Sequence, residues 1–372
     1  MSDYFGKEVP KLGFGLMRLP KKEPNMDMEQ VKQMVDLFMK AGFTYFDTAY
    51  VYQGSEAAAK EALVDRYPRE SYTLATKLNA SAADSEEAAK MEFQTSLERT
   101  GAGYFDYYLL HALMEDNYKK YDQYHLWDFV KEQKAKGLIK HIGFSFHGGP
   151  KLLEQLLKDH PETEFVQLQI NYADWESPTV ASRANYEVAR KFGKSIVIME
   201  PVKGGGLADP PEAVKSLFTG HHQDMSAASW AVRFAASLDG IITVLSGMSN
   251  IEQMEDNLSY MKAFKPLDEE ERKIIQEAQR ILGQSSTIPC TACHYCTEGC
   301  PKRIPIPEIF QAMNRQLGNG QRKEAVADYQ KVTDSAGKAS ECINCKQCEH
   351  ACPQHLEITE YLKQCAEALE TL

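Results

Sequence analysis

The chain is predicted to be α/β: a (β/α)8 TIM barrel followed by a small, mainly helical C-terminal domain. Three observations predict this. Eight short apolar, β-rich runs alternate with stretches of helical period between residues 11 and 248, the pattern of a parallel sheet wrapped by its own crossover helices. The first run carries only "GFGLMR", without the third glycine of the GxGxxG turn that usually announces an open doubly wound sheet, the competing arrangement. All nine cysteines lie after residue 289, so the last part of the chain follows another plan. A chain of 372 residues also exceeds the size of one small core. The expected boundaries are 1–265 for the barrel, 266–289 for a helical linker and 290–372 for the C-terminal domain.

In order, the predicted strands are "KLGFGLMRL", "TYFDTAY", "YTLATKL", "DYYLLHAL", "KHIGFSF", "FVQLQINY", "SIVIMEP" and "IITVLSGM". Between them, "MEQVKQMVDLFMKAG", "SEEAAKMEFQTSLERTG", "WDFVKEQKAKG", "PKLLEQLLKDH" and "MSAASWAVRFAASLDG" have helical period, and several end in a glycine suited to a C-cap. The polar helix "LDEEERKIIQEAQRIL" links the barrel to the cysteine-bearing region. Two connections, "LMEDNYKKYDQYHLW" and "KGGGLADPPEAVKSLFTGHHQDM", exceed ordinary loop length and read as substrate or cofactor lids or as surface insertions.

Composition is that of a water-soluble globular chain, 43% hydrophobic and 26% charged. The net charge of −11 and the lack of any basic run argue against a nucleic-acid or anionic-membrane partner. The start "MSDYFGKEVPKLGFG" has no apolar signal core, and no run of 18 apolar residues occurs. The expected location is the cytoplasm, where thiols stay reduced and clustered cysteines read as metal ligands before disulfides.

Active sites of such barrels form where strands run into helices. Those positions carry Asp47 and Tyr52 after the second strand, Lys77 after the third and His111 after the fourth. Singly, each reads as a surface, packing or structural residue. Together they suit carbonyl reduction. A tyrosine of ordinary pKa near 10 is a better proton donor when an ammonium stabilises its phenolate. Lys77 supplies that charge, Asp47 holds it, and His111 orients the substrate oxygen.

The segments "FDTAYVYQGSE", "ATKLN", "YYLLHAL" and "IGFSFH" resemble signature segments of the aldo/keto reductase superfamily over roughly residues 10 to 260. The resemblance implies that Asp47, Tyr52, Lys77 and His111 form a catalytic tetrad, with Tyr52 as general acid. It also implies that the barrel binds NAD(P)(H) without a Rossmann domain and acts on a small-molecule carbonyl or alcohol. By position, Ser145 and Gln167 match residues that hydrogen-bond the nicotinamide carboxamide. Met199 stands where an aromatic ring commonly stacks, and Phe146 replaces a common amide, with His147 beside it. Met17 and Arg18 match cofactor contacts; Gly247, Ser249, Gln253 and Asn257 match the adenosine-binding segment. Relatives that prefer NADPH usually meet its 2′-phosphate with a cation, where this chain has Gly247 and Gln253. Charge-assisted bonds of about 1.5–3 kcal/mol each are then lacking, so no strong NADPH preference is expected. The run after the seventh strand, where barrels often bind phosphate, offers Gly204, Gly205 and Gly206 for backbone approach to a pyrophosphate, or for a lid hinge. Trp175 lines the substrate pocket or packs beneath it.

Cys290, Cys293, Cys296 and Cys300 follow CxxCxxCxxxCP, and Cys342, Cys345, Cys348 and Cys352 repeat it. Three closely spaced thiolates wrap one cubane, and the remote fourth is directed to the other cluster. The expected ligand sets for two [4Fe-4S] clusters are therefore Cys290, Cys293, Cys296 and Cys352, and Cys342, Cys345, Cys348 and Cys300. Two CxxC pairs suffice for zinc, which leaves the third cysteine and the CP tail unexplained. His294, His350 and His355 read as polar neighbours, and Cys365 as part of a buried helix face. The region resembles a two-cluster ferredoxin domain, closest to the helical ferredoxin modules of larger oxidoreductases.

These readings favour an NAD(P)-linked oxidoreductase fused to a two-cluster module. Hydride carries two electrons and each cluster accepts one, so the clusters serve structure, sensing or exchange with an external redox protein. The alternative is an iron–sulfur electron-transfer subunit whose barrel is a docking scaffold, although a scaffold has no need of the tetrad.

Overall fold

The computed structural model describes residues 2–4, 7–22, 25–284 and 287–370. Packing divides the chain into two compact units: residues 1–202 with 228–272, and residues 203–227 with 273–372. The segment after the seventh strand thus groups with the C-terminal residues, which chain order does not suggest.

The first unit is a closed barrel of eight parallel strands, neighbours in space as in sequence. They are β1 (Leu12–Gly15), β2 (Tyr45–Asp47), β3 (Thr73–Leu78), β4 (Phe105–Leu113), β5 (Ile139–Phe146), β6 (Phe165–Gln169), β7 (Ser195–Met199) and β8 (Ile241–Ser246). Closure is made by β8 on β1, with Val244 opposite Leu12. Six of the strands are shorter than their apolar runs, while β4 and β5 each begin one residue before theirs. β1 stops at Gly15 because residues 16–18 wind into a 3-10 turn, and β2 stops at Asp47, where the chain turns toward Tyr52.

Inside the barrel, Tyr45, Tyr107, Leu109, Phe165, Val197 and Leu245 form one buried cluster, the packed-layer filling that makes such a barrel solid. Gly143 makes room for it: a Cβ there would stand 2.6 Å from both the ring and the carbonyl oxygen of Phe165. No side chain fits that gap.

Helices follow each strand: α1 (Met28–Lys40), α2 (Ser55–Ala59, continued by a π turn, Lys60–Val64), α3 (Glu86–Thr100), α4 (Leu126–Ala135), α5 (Pro150–Asp159), α6 (Ser182–Lys191), α7 (Ala227–Ala236) and α8 (Ile251–Met261). Their ends follow local chemistry. Asp27, Ser85 and Asn250 accept from backbone N–H groups in the first turns of α1, α3 and α8, and α3 ends on Gly101 at φ 65°. On α5, Leu152, Leu153, Leu156 and Leu157 are buried, each worth about 1.5–3 kcal/mol in area removed from water. Short extra helices, Tyr118–Gln123 and Glu212–His221, occupy the two long connections.

α9 (Glu269–Leu282) straddles the division between units. The second unit contains α10 (Ile306–Asn319), α11 (Arg322–Thr333) and α12 (Ile358–Leu369) around a core that includes Ile288, Ile304, Phe310, Tyr329, Leu362 and Cys365. Burial pushes the Cys365 thiol up to about 12, so it stays protonated. Among the described residues no helix is long and apolar enough to cross a membrane.

Candidate functional site

Three of the four strand-top candidates lie at the C-terminal ends of adjacent strands: Asp47 closes β2, Lys77 is next to last in β3, and His111 nears the end of β4. Tyr52 follows in a tight turn, its N–H bonded to the Ala49 carbonyl and its own carbonyl accepting from Ser55 N. Lys77 Nζ donates to Asp47 Oδ1 at 2.5 Å and to the Thr48 carbonyl at 2.7 Å. The same ammonium lies 5.0 Å from the Tyr52 ring centroid, and the His111 ring meets Tyr52 edge-on at 5.7 Å. The four side chains therefore form one group.

Electrostatics follow from burial. Loss of water pushes the Asp47 carboxyl up and the Lys77 ammonium down, and each partner opposes the other's shift. Burial, reinforced by Lys77 and His147, holds His111 far below its ordinary value. At neutral pH it is an uncharged imidazole, and its buried Nδ1 has no hydrogen-bond partner. Its backbone is unusual too. The β4–β5 register breaks between Leu110 and Leu113, and Ala112 takes φ 57°, an irregularity of the kind that re-aims a side chain. Ala112 N donates to Ser145 Oγ at 2.7 Å, Asn117 Nδ2 donates to the Ala112 carbonyl at 2.8 Å, and the Tyr121 hydroxyl donates to the His111 carbonyl. Residues Asn117 and Tyr121 of the long connection thus brace His111 from behind.

Ser145 and Gln167 sit side by side, paired across β5 and β6, and both are buried. Because Ser145 Oγ accepts from Ala112, its own hydroxyl proton is left to donate. Gln167 Oε1 is buried without a partner, an acceptor that suits the amide hydrogens of a carboxamide. Phe146 points into protein, packing edge-on against Phe144 at 6.1 Å. Met199 ends β7 half-buried, opposite Gln169. Beyond it Glu200 takes φ 56°, its carbonyl accepting from Asn171 Nδ2 at 3.2 Å and its carboxylate lying 3.5 Å from Arg18. The Arg18 side chain also passes Gly247, where a Cβ would stand 3.8 Å from Arg18 Cδ. Met17 lies half-buried in the 3-10 turn before it. Ser249, Gln253 and Asn257 are linked by hydrogen bonds at the start of α8: Ser249 N to Gln253 Oε1 at 2.8 Å and Asn257 Nδ2 to the Gln253 carbonyl at 3.0 Å. Asn257 Oδ1 is buried and unpartnered. Gly204, Gly205 and Gly206 belong to the second unit. There Gly204, at φ 65°, lies so close to Thr291 that a Cβ would collide with the Thr291 carbonyl.

The cysteines line two hollows in the second unit. One is lined by Cys290, Cys293, Cys296 and Cys352 and the other by Cys300, Cys342, Cys345 and Cys348. Each combines three thiols of one motif with the last of the other, the crossed grouping expected from the spacing. The backbone repeats as well. Ala292, His294 and Arg303 share left-handed φ values with Asn344, Lys346 and His355, their counterparts in the second motif. Such turns point successive N–H groups toward an anionic centre, and Ala292 N already donates to Cys290 Sγ at 3.4 Å. Burial and neighbouring thiolates push Cys296 up, and burial foremost pushes Cys348 up to about 11. A bound cation is needed to hold these thiols as thiolates, and an all-sulfur donor set suits iron.

Residues 11–280 match the profile of the aldo/keto reductase family. The chain belongs to that family. It is accordingly an NAD(P)-dependent oxidoreductase, with residues 289–357 matching a 4Fe-4S dicluster domain, an iron–sulfur-binding module. An aldo-keto reductase of Mycolicibacterium smegmatis is 28% identical over 206 residues, 55% of this chain and 69% of that protein. The NAD/NADP-dependent indole-3-acetaldehyde reductase of Schizosaccharomyces pombe is 27% identical over 68% of this chain and 87% of its own length. Among solved structures, the holo form of an aldo-keto reductase from Bacillus halodurans superposes with a TM-score of 0.59 at 25% identity, over 73% of this chain and 93% of that one.

In this aldo/keto reductase barrel the structure adds residues that sequence reasoning passed over. Glu56 is buried beside Lys77, accepting from Thr76 Oγ1 at 2.8 Å and lying 3.4 Å from Arg99. Glu92 is buried too, its Oε2 accepting from Asn79 N at 2.7 Å, and burial pushes its carboxyl up to about 8. A carboxylate within the quoted "YQGSE" was a visible signal for Glu56; nothing local marked Glu92, Tyr121 or Glu200. The whole arrangement sets a phenol ring over a buried ammonium, with a neutral imidazole beside it and the buried Ser145 and Gln167 side chains on neighbouring strands.

Proposed function

We propose that the barrel interconverts a small aldehyde or ketone with its alcohol, with Tyr52 as general acid and base. Bound NAD(P)H supplies the hydride for reduction and NAD(P)⁺ accepts it for oxidation. Tyr52 delivers its phenolic proton to the substrate oxygen, and the Lys77 ammonium stabilises the phenolate left behind. Asp47 keeps Lys77 charged in a site that would otherwise strip its proton. His111, neutral, donates a hydrogen bond to the same oxygen without competing for the proton. Ser145 and Gln167 orient the carboxamide of the cofactor, Met199 offers a polarizable platform beside it, and Met17, Arg18, Gly247, Ser249, Gln253 and Asn257 form its adenosine-phosphate groove. Neither Gly247 nor Gln253 is itself a cation, and Arg18, whose side chain passes Gly247, is held 3.5 Å from Glu200, so NADPH gains no strong preference over NADH.

The observation that carries this reading is the buried Lys77–Asp47 pair beneath the Tyr52 ring. Its test is NAD(P)H oxidation against an aldehyde and ketone panel in anaerobic protein. Tyr52→Phe is expected to lose about 10²–10⁴-fold in kcat, and equal turnover by the variant would reject the assignment. Fluorescence titration of NADH and NADPH checks the preference, which a hundredfold advantage for NADPH would overturn.

In the second unit two [4Fe-4S] clusters are held by the two crossed cysteine sets. When bound, such clusters would supply one-electron chemistry, and exchange with a separate redox protein would be the use of them that needs no second electron at the same moment.

A further inference from the structure

The two cysteine-lined hollows differ in what surrounds them. Around the first, Cys290 and Cys293 are half-buried and Cys296 and Cys352 buried, and the remaining lining is Thr291, His294, Ile306, Phe310 and similar groups, with no lysine, arginine or carboxylate. Around the second, Cys345 is exposed. Beside it Ile343 leaves 57% of its surface in water, one of two large hydrophobic side chains so exposed among the described residues. The charged residues in this lining are Lys302 and Lys346, both exposed. Lys346 Nζ pairs with Glu349 Oε2 at 3.5 Å, while Oε1 of the same carboxylate accepts from Thr359 N and Oγ1, so Lys302 is the cation of this lining with no carboxylate beside it in that lining. Gly337 donates its N–H to the Arg303 carbonyl, which brings exposed Arg303 and Lys338 to the same neighbourhood, against exposed Glu341. A positive patch with an apolar centre over a thiol-lined hollow is anomalous on a chain of net charge −11.

We infer that this face is the docking surface for a small acidic one-electron carrier protein. The inference rests on the two-cluster reading above and adds to it which cluster meets the partner, and why. The apolar Ile343 supplies the desolvated centre of a transient contact, and Lys302 and Lys346 its charged rim. The chain as a whole carries a net charge of −11, which disfavours an acidic carrier, so local cations favour its encounter at this face. In the exchange the reduced carrier gives up one electron and the oxidised cluster at Cys300, Cys342, Cys345 and Cys348 gains it; no proton moves and no bond breaks.

The test uses the full chain, loaded anaerobically and assayed for iron and sulfide, with a small acidic [4Fe-4S] ferredoxin as probe. Two quantities are read: the dissociation constant for the oxidised probe, and the stopped-flow rate of electron transfer from the reduced probe. The variant Lys302→Glu/Lys346→Glu is expected to weaken binding and slow transfer about tenfold or more at low salt. Ile343→Ser should weaken binding several-fold, and raising salt from about 20 to about 200 mM should erase the charge effect. Lys323→Glu, an exposed residue of α11 that lines neither hollow, should act like the parent, and reduction by dithionite should be unchanged throughout. The inference is overturned if charge reversal and Lys323→Glu agree within about twofold, if a basic cytochrome reacts as fast as the acidic probe, or if the reversal abolishes self-association instead. Protein that binds zinc, or no iron and sulfide, would defeat the cluster reading itself, a result separate from indifferent docking by a fully loaded chain.

Discussion

Lys77 and Asp47 form an ion pair almost withdrawn from water: Nζ lies 2.5 Å from Oδ1, with the side chains 1% and 4% exposed. Removing one partner of such a pair strands the other and costs about 3–5 kcal/mol. Asp47→Asn and Lys77→Met should each lower the urea midpoint by an equivalent amount and reduce kcat tenfold or more. The double variant Asp47→Asn/Lys77→Met should recover much of the stability, because no lone charge remains, and none of the turnover. Recovery of both would mean that the pair is purely architectural.

His111 should be silent in the pH–rate profile near its ordinary value of 6.5, since burial keeps it neutral in the folded chain. Its effect should appear in stability. The folded pKa is depressed, so the unfolded chain binds the extra proton: the contribution is complete above 6.5 and is lost at about 1.4 kcal/mol per pH unit as pH falls below it. Urea titrations of parent and His111→Gln from pH 7 to 5 measure this, with the variant showing the flatter slope.

Glu92 predicts the opposite trend. Its carboxyl is raised from 4.5 to about 8 by burial, with Glu56 adding repulsion and the Asn79 N–H opposing. A raised folded pKa gives a contribution that is complete below the unfolded value and fades as pH climbs to 8. Glu92→Gln removes the charge and retains an oxygen for Asn79 N. It should be more stable than the parent by roughly 2–4 kcal/mol at pH 8 and nearly equal at pH 5, as read from thermal or urea midpoints.

The crossed cysteine sets make a prediction that an in-order assignment reverses. Cys290→Ala/Cys352→Ala removes two ligands from one set and should leave about four irons per chain, whereas Cys290→Ala/Cys300→Ala damages both sets and should leave close to none. Iron and sulfide analysis with electron paramagnetic resonance of the reduced protein distinguishes the outcomes.

Much of the barrel was legible because its signal is local. Each β-rich run overlaps a strand, and helix ends fall at Asp27, Ser85 and Gly101 for reasons of capping chemistry contained within four residues. The strand limits were less legible: β1 and β2 end several residues before their apolar runs do, since hydropathy does not reveal where a backbone leaves the ladder to form a turn. The candidate tetrad was legible once a barrel was assumed, because the fold itself collects strand ends on one face. Arg18 was not. Its partner Glu200 stands far along the chain, and nothing in either neighbourhood announces the other. The same holds for residues 203–227, which group with the C-terminal unit and bring Gly204 against Thr291.

By itself, then, the sequence determined the alternation that closes into a barrel and the cysteine spacing that suits two clusters, since both are periodic patterns in which neighbouring residues dictate backbone geometry. Only the tertiary structure decided which ionisable groups lose their water. Whether Lys77 is charged, His111 neutral or Glu92 protonated depends on side chains brought over them from distant strands and helices, and the energy of a charge is set by what surrounds it in space.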